Sequence, residues 1–273
     1  MSSAIEKAMA RLRRGAGAAA AAEAVPWRDG TVETLPGPET VLTLPPGVLD
    51  PDAPDPLVLE AFRRIKRPLL DAVAADPDAP LRRAVVVCSA RPGEGKTHCA
   101  ASLAMALAME QDVDVVLVDA DVHKKGLSRR FGAADAAGLF DVLDDGAPPW
   151  TALALPVAAT RLRLLPAGAW RRDAAERLAG PGLRSWLDAA LIDPATLLVF
   201  DTPPLSACND AAVLAARLGQ AVLVVAAGET PRTAVQEALA ALPRDLPVGL
   251  VFNKATERDP AVYDGERYLS DVS

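Results

Sequence analysis

Ala84-Val85-Val86-Val87-Cys88-Ser89, followed by Ala90-Arg91-Pro92-Gly93-Glu94-Gly95-Lys96-Thr97, is the stretch on which the fold turns. The apolar run predicts a buried strand. The next eight residues give a small residue, four of any kind, then Gly-Lys and a hydroxyl residue. An Ala- and Leu-rich segment continues to about residue 110 as a helix. A strand that passes through a glycine-rich turn into a helix is the arrangement a phosphate site needs. Gly93 and Gly95 let the backbone curl so that successive N–H groups point inward. Lys96 brings a point charge for β- and γ-phosphates, and the Thr97 hydroxyl is placed for Mg²⁺. The helix N-terminus adds positive potential at the same spot. A flexible glycine turn explains the glycines but not their flanks. These residues predict a nucleoside triphosphate site.

Composition agrees with an α/β chain. Of 273 residues 51% are hydrophobic but only 4% aromatic, so the core is aliphatic, as suits a parallel sheet of Val and Leu strands. A net charge of −7 argues against a nucleic-acid partner. Local positive charge gathers at Lys7, Arg11, Arg13 and Arg14, and again at Arg63, Arg64, Lys66 and Arg67. Either group suits anionic lipid or a partner, or simply a solvated helix face. The three cysteines, Cys88, Cys99 and Cys208, show no metal-ligand spacing and read as core or near-core residues in a reducing cytosol. His98 and His123 are too few and too isolated to predict a metal site. The start lacks an apolar leader and no stretch is apolar enough to span a bilayer, so a soluble, cytoplasmic chain is expected.

Further out, Ile5, Met9 and Leu12 recur at helical spacing and predict a short amphipathic helix within residues 1–14. So short a helix is marginal alone and needs something to dock on. Residues 15–56 are rich in Ala and Gly, then in Pro, and read as a linker with an edge-strand fragment around 40–44. Residues 57–70 predict a helix with Val58, Phe62, Ile65 and Leu69 on one side and Glu60, Arg63, Arg64 and Arg67 on the other. Strands are expected at 84–89, 115–120, 162–165, 196–201, 220–226 and 247–252. Helices are expected at 96–110, 126–131, 138–144, 173–191 with a break at Gly180-Pro181, 208–218 and 231–242. Such alternation predicts a doubly wound, mainly parallel sheet over residues 57–253, with 254–273 as a tail. Ligands of such folds sit beyond the carboxyl ends of the strands.

Two of those ends are acidic. Val115-Val116-Leu117-Val118 runs into Asp119 and Asp121, and Leu197-Leu198-Val199-Phe200 runs into Asp201. A carboxylate after four buried residues is costly unless a cation or hydrogen bonds compensate it. Mg²⁺-nucleotide is one such cation; helix or turn capping is the competing explanation for Asp121 and Asp201. The last strand ends in Asn253-Lys254, where a nucleotide base would lie. Thr256 stands where a guanine reader would carry Asp, so adenine is favoured, with the Asn253 amide at the purine edge. The loops hold no Ser/His/Asp or Cys/His pattern for acyl transfer.

These residues resemble one family, the bacterial tyrosine kinases of polysaccharide export, a P-loop NTPase branch of the deviant Walker, or SIMIBI, type. The resemblance rests on the Walker A loop at 90–97, an A-prime motif LVDADVHK at 117–124 and a Walker B motif LVFDTPP at 198–204. It also rests on Glu60-x-x-Arg63-x-x-Lys66, GLFDVL at 138–143 and LLPAG at 164–168, and runs from about residue 57 to 255. The opening Ala-Ile-Glu-Lys-Ala and the segment 62–70 are similar to the sub-branch linked to exosortase exopolysaccharide loci.

The resemblance implies a protein-tyrosine autokinase using ATP and Mg²⁺. Lys96 would stabilise the transferring phosphoryl group, and Thr97, Asp121 and Asp201 would hold Mg²⁺. Asp119 would accept the tyrosine proton. Arg91, Gly93, Glu94, Gly95, Lys96, Thr97, His98 and Asn253 form the expected nucleotide-binding set. The acceptors would be Tyr263 and Tyr268, the only two tyrosines in the chain. Transfer would pass between neighbours in a ring held by Glu60, Arg63 and Lys66. A membrane-embedded polysaccharide copolymerase would activate the protein and hold it at the inner face of the plasma membrane. Three departures stand out: two tail tyrosines instead of a dense cluster, His123 in place of an Arg, and Lys66 in place of the last Arg of the interface motif. That last change loses bidentate geometry though not charge. Two other readings stay open: a non-kinase nucleotide switch of the same pathway, and a Min/Par-type partition ATPase. The latter carries a signature Lys where this chain has Arg91.

Overall fold

The computed structural model describes residues 40–144 and 146–255. The expected helix within 1–14, the linker up to residue 39, and Tyr263 and Tyr268 lie outside the described residues. In chain order the elements are α1 (Pro56–Ala75), β1 (Ala84–Ser89), α2 (Lys96–Ala108), β2 (Asp114–Asp119), α3 (Gly126–Arg130), α4 (Leu139–Val142), α5 (Trp150–Leu153), β3 (Leu155–Pro156) and β4 (Leu162–Leu165). They continue with α6 (Ala174–Ala179), α7 (Pro181–Ala190), β5 (Thr196–Asp201), α8 (Asp210–Ala215), β6 (Gln220–Ala226), α9 (Arg232–Ala241) and β7 (Val248–Asn253). The sheet order is β3-β4-β2-β5-β1-β6-β7. All pairings are parallel except that of β3 with β4.

The central strands are buried throughout because helices cover both faces. Val85, Val87, Val115, Leu117, Leu197 and Val199 pack on one side with α1 and α2. Val86, Val116, Val118, Leu198 and Phe200 pack on the other with α7, α8 and α9. Trp186 of α7 meets Phe200 edge to face, with centroids 5.7 Å apart. α2 is almost wholly buried, and its alanines let it lie close between the sheet and α1.

Four features depart from expectation. α1 extends through Pro68, which lies on an exposed side of the helix, where water can replace the missing N–H. Its start is fixed by Asp55, whose carboxylate accepts from Leu57 and Val58 N–H at 2.8 and 3.3 Å. The buried stripe is Phe62, Lys66, Leu69, Leu70 and Val73, so Lys66 lies inside it. Its Nζ donates to the Ala106 carbonyl at 2.7 Å and pairs with Glu110 at 2.7 Å, at the carbonyl end of α2. Lys66 is therefore committed within the chain, whereas Arg63 is exposed and Glu60 is half-buried.

The core also begins before residue 57. Leu42 bridges Val157, as the fragment at 40–44 anticipated, and Val48 and Leu49 are buried with the Leu49 N–H donating to Ser102 of α2 at 3.2 Å. The proline-rich composition concealed this strap. β3 and α5 were not expected either. Among the described residues no helix is long and apolar enough to cross a membrane.

Candidate active site

β1 delivers the chain into the loop, and both loop glycines are obligatory there. Gly93 has φ 86° and Gly95 φ 91°, a left-handed region that side chains disfavour. A Cβ on Gly95 would also lie 2.0 Å from Asn253 Nδ2. The loop is braced from within. Glu94 is 3% exposed; one carboxylate oxygen accepts from the Arg91 N–H at 2.8 Å and the other from the Thr230 hydroxyl. Asn253 Nδ2 donates to the Glu94 carbonyl at 2.9 Å, and the Ser89 hydroxyl donates to the Arg91 carbonyl at 3.0 Å. Of the residues expected to touch nucleotide, Glu94 and Asn253 thus hold the loop's shape with their side chains. Arg91 is exposed at its tip. His98 is half-buried, and burial together with Arg130 pushes its pKa down.

Lys96 opens α2 and is 9% exposed. Its Nζ lies 3.1 Å from Asp201 Oδ1, 4.0 Å from Asp121 Oδ2 and 3.3 Å from Thr97 Oγ1. Strand register produces this convergence: β5 lies between β1 and β2, pairing Asp201 with Val87 on one side and Asp119 on the other. Asp121 serves two ends. Oδ1 accepts from the Lys124 N–H at 3.0 Å, as turn capping requires, while Oδ2 faces Lys96. Asp201 is fully buried, and burial raises its pKa against the opposing pull of Lys96. Asp201 Oδ2 has no hydrogen-bond partner among the described residues. An unpaired oxygen on a buried carboxylate, beside a second carboxylate and a threonine hydroxyl, fits a hard divalent cation such as Mg²⁺.

Asp119 sits behind this group with no exposure. Oδ1 accepts from the Asp121 N–H at 3.1 Å, and Oδ2 accepts from Ser128 N–H at 2.8 Å and Ser128 Oγ at 2.7 Å. Burial and the neighbouring Asp201 push its pKa up to about 7 despite those bonds. Ser128 Oγ in turn accepts from the Ala167 N–H at 3.0 Å. Sequence reading missed Ser128 and Thr230, whose partners are remote in the chain. A lone serine inside the apolar-periodic stretch Gly126–Phe131 was the only signal for the first.

One expectation is corrected. His123 does not stand alone: its Nε2 lies 3.3 Å from Asp210 Oδ2, with Cys208 alongside. The loops after β2 and β5 bring together residues separated by 87 positions.

Glycine loop, Lys96 and acidic strand ends on a mainly parallel sheet define a P-loop nucleotide-binding fold. No protein-family model matches the chain. Curated relatives do. Tyrosine-protein kinase YwqD of Bacillus subtilis is 32% identical over 165 residues, covering 59% of this chain and 66% of that protein. Succinoglycan biosynthesis transport protein ExoP of Rhizobium meliloti is 30% identical over 217 residues, 78% of this chain. The match spans only 27% of ExoP and just under two thirds of YwqD. Among solved structures, the kinase domain of Escherichia coli tyrosine kinase ETK shares the fold, with a TM-score of 0.62 at 23% identity over 74% of this chain and 77% of that one. The curated relatives of this chain are thus bacterial tyrosine kinases and a polysaccharide transport protein, and its fold is that of a bacterial tyrosine-kinase domain.

Proposed function

We propose that this chain binds ATP with Mg²⁺ and transfers the γ-phosphoryl group to tyrosine hydroxyls in the tails of neighbouring copies. The observation that carries the reading is the buried Asp201, held to Lys96 at 3.1 Å with its second oxygen unpaired, in a chain whose relative YwqD is a tyrosine-protein kinase. Loop N–H groups and Lys96 bind and orient the phosphates, supplying positive charge where negative charge develops. Thr97, Asp121 and Asp201 are the residues that would hold Mg²⁺. When bound, Mg²⁺ neutralises charge on the phosphate oxygens.

Tyrosine, with a free pKa near ~10, is a poor nucleophile unaided. Asp119, held near 7, is matched to accepting its proton. Both Asp119 oxygens are engaged, so acceptance requires the Asp121 N–H to yield Oδ1. The ten residues from Asn253 to Tyr263 span up to about 35 Å extended, enough to reach a neighbour's site. Glu60 and Arg63 hold the ring. A membrane-embedded copolymerase activates the assembly and places it at the inner face of the plasma membrane, a role in line with the transport protein ExoP among the relatives.

Purified protein given γ-labelled ATP and Mg²⁺ tests the proposal against Lys96→Met and a Tyr263→Phe/Tyr268→Phe double variant. Label on the wild type alone is expected. ATP turnover with no protein label in any form would replace the kinase by a nucleotide switch, the reading that the two-tyrosine tail favours.

A further inference from the structure

His123 lies two residues past Asp121, and Cys208 lies two residues before Asp210, the first residue of α8. Because β2 and β5 are sheet neighbours, the loops leaving them meet. One ligand atom each from His123, Cys208 and Asp210 falls within 4.8 Å of the other two. Asp210 is only 5% exposed, and its carboxylate faces His123 Nε2 at 3.3 Å. We infer that His123, Cys208 and Asp210 form a binding site for a zinc-class divalent cation, distinct from the oxygen-lined site of Thr97, Asp121 and Asp201. The inference does not depend on the kinase reading.

The separation of His123 and Asp210 matches that of two ligands on one cation. Tetrahedral zinc with bonds of about 2.0–2.1 Å to nitrogen and oxygen places those atoms about 3.3 Å apart. The observed separation is 3.3 Å. Edges to sulfur in such a site are about 3.5 Å, and the thiol lies no more than 4.8 Å from the other two ligand atoms. Water or an added ligand completes the fourth position.

Chemistry favours it too. Nitrogen, thiolate and carboxylate together select zinc-like ions, whereas Mg²⁺ takes all-oxygen sets. Burial holds the Cys208 thiol protonated in the absence of a cation, and Asp121 adds negative charge nearby. On binding, the sulfur coordinates as thiolate and its proton passes to solvent. His123 stands where the family resemblance expects Arg, a residue that cannot ligate a cation. The site thus belongs to this sequence, and its occupant would tie the turn bearing Asp121 to α8.

Co²⁺ titration of the full chain in excess Mg²⁺ reads the site directly. One equivalent of Co²⁺ should give a thiolate-to-metal charge-transfer band with a tetrahedral ligand-field spectrum, and Zn²⁺ should displace it. Cys208→Ser and His123→Gln should each abolish the band while keeping the wild-type circular dichroism spectrum. A pale six-coordinate spectrum, no uptake at all, or a thiolate band that survives Cys208→Ser would overturn the site. Should either variant fail to fold, alkylation of Cys208 in wild type with and without Zn²⁺ decides instead. Protection supports the site; equal labelling rejects it.

Discussion

Asp119 and Asp201 are register partners on adjacent parallel strands, both fully buried, yet only Asp201 is given a cation, Lys96 at 3.1 Å. Asp119 instead has Ser128 and the Asp121 N–H. Two buried carboxylates side by side cannot both ionise cheaply. Burial raises the pKa of both, opposed at Asp201 by Lys96, and Asp119, beside Asp201 and without a cation of its own, is pushed up to about 7.

Stability should follow from that. The Asp119 pKa is raised from 3.8 unfolded to about 7 folded, so between those values the native state binds more protons than the unfolded one. The contribution is present at low pH, shrinks as pH rises from about 4 to about 7, and is constant above. Asp119→Asn should therefore gain stability relative to wild type as pH rises through that window. Urea midpoints at pH 5 and pH 8 check it; a wild-type-to-variant difference that does not move with pH rejects the assignment. Phosphoryl transfer by the wild type should rise through pH 7 as Asp119 loses its proton.

Lys96→Met should cost stability as well as nucleotide binding. It leaves Asp201 buried with no cation and Asp121 without its neighbour. Removing one partner of a buried pair typically costs about 3–5 kcal/mol. Asp201 can escape part of that by taking up a proton, so the deficit should be larger at pH 8 than at pH 5. Thermal unfolding at both values measures the difference, and an equal deficit would mean that Asp201 does not stay ionised beside Lys96.

Gly95 was legible in the sequence, and its two constraints can now be separated. Gly95→Ala meets a positive φ and an Asn253 Nδ2 that would lie 2.0 Å from the new Cβ. Strain of this kind costs about 1–3 kcal/mol. Asn253→Ala in the same chain removes the steric part but not the backbone part. Urea unfolding of the two single variants and the double variant should show partial recovery, with a favourable coupling between the two sites.

Local order was readable where it is written locally. The phosphate loop, the β4, β5 and β6 boundaries and the acidic strand ends all follow from mainly apolar runs that stop at or just before Pro, Gly or Asp. Contacts between distant residues were not readable. Thr230 reaches Glu94 across 136 positions, and Ser128 reaches Ala167 across 39. Lys66 misled for another reason: a lysine at a helical apolar position reads as surface, yet its long stem can run through the core to reach a carbonyl. Val48 and Leu49, buried beyond the expected fragment at 40–44, were hidden in a proline-rich stretch. His123 was counted as isolated because neither Cys208 nor Asp210 is near it in sequence.

Lys66 and Arg63 supply a last contrast, because the interface motif treats them alike and the structure does not. Lys66 binds the Ala106 carbonyl and Glu110, with its side chain only 11% exposed. Arg63 is 59% exposed and, among the described residues, pairs with Glu60 at 3.8 Å on the same helix. Exposed pairs of that kind are worth little. Lys66→Met should lower stability by about 1–3 kcal/mol, because it leaves the Ala106 carbonyl without this donor and Glu110 without its cation. Arg63→Ala should leave the unfolding midpoint unchanged within about 0.5 kcal/mol while reducing autophosphorylation and assembly. Nucleotide affinity should persist in Arg63→Ala, since the loop is braced by Ser89, Glu94, Thr230 and Asn253, none of them in α1. Unfolding curves, analytical ultracentrifugation and phosphotyrosine detection on the two variants decide the matter. Wild-type phosphotyrosine in a monomeric Arg63→Ala protein would rule out transfer between neighbours through α1.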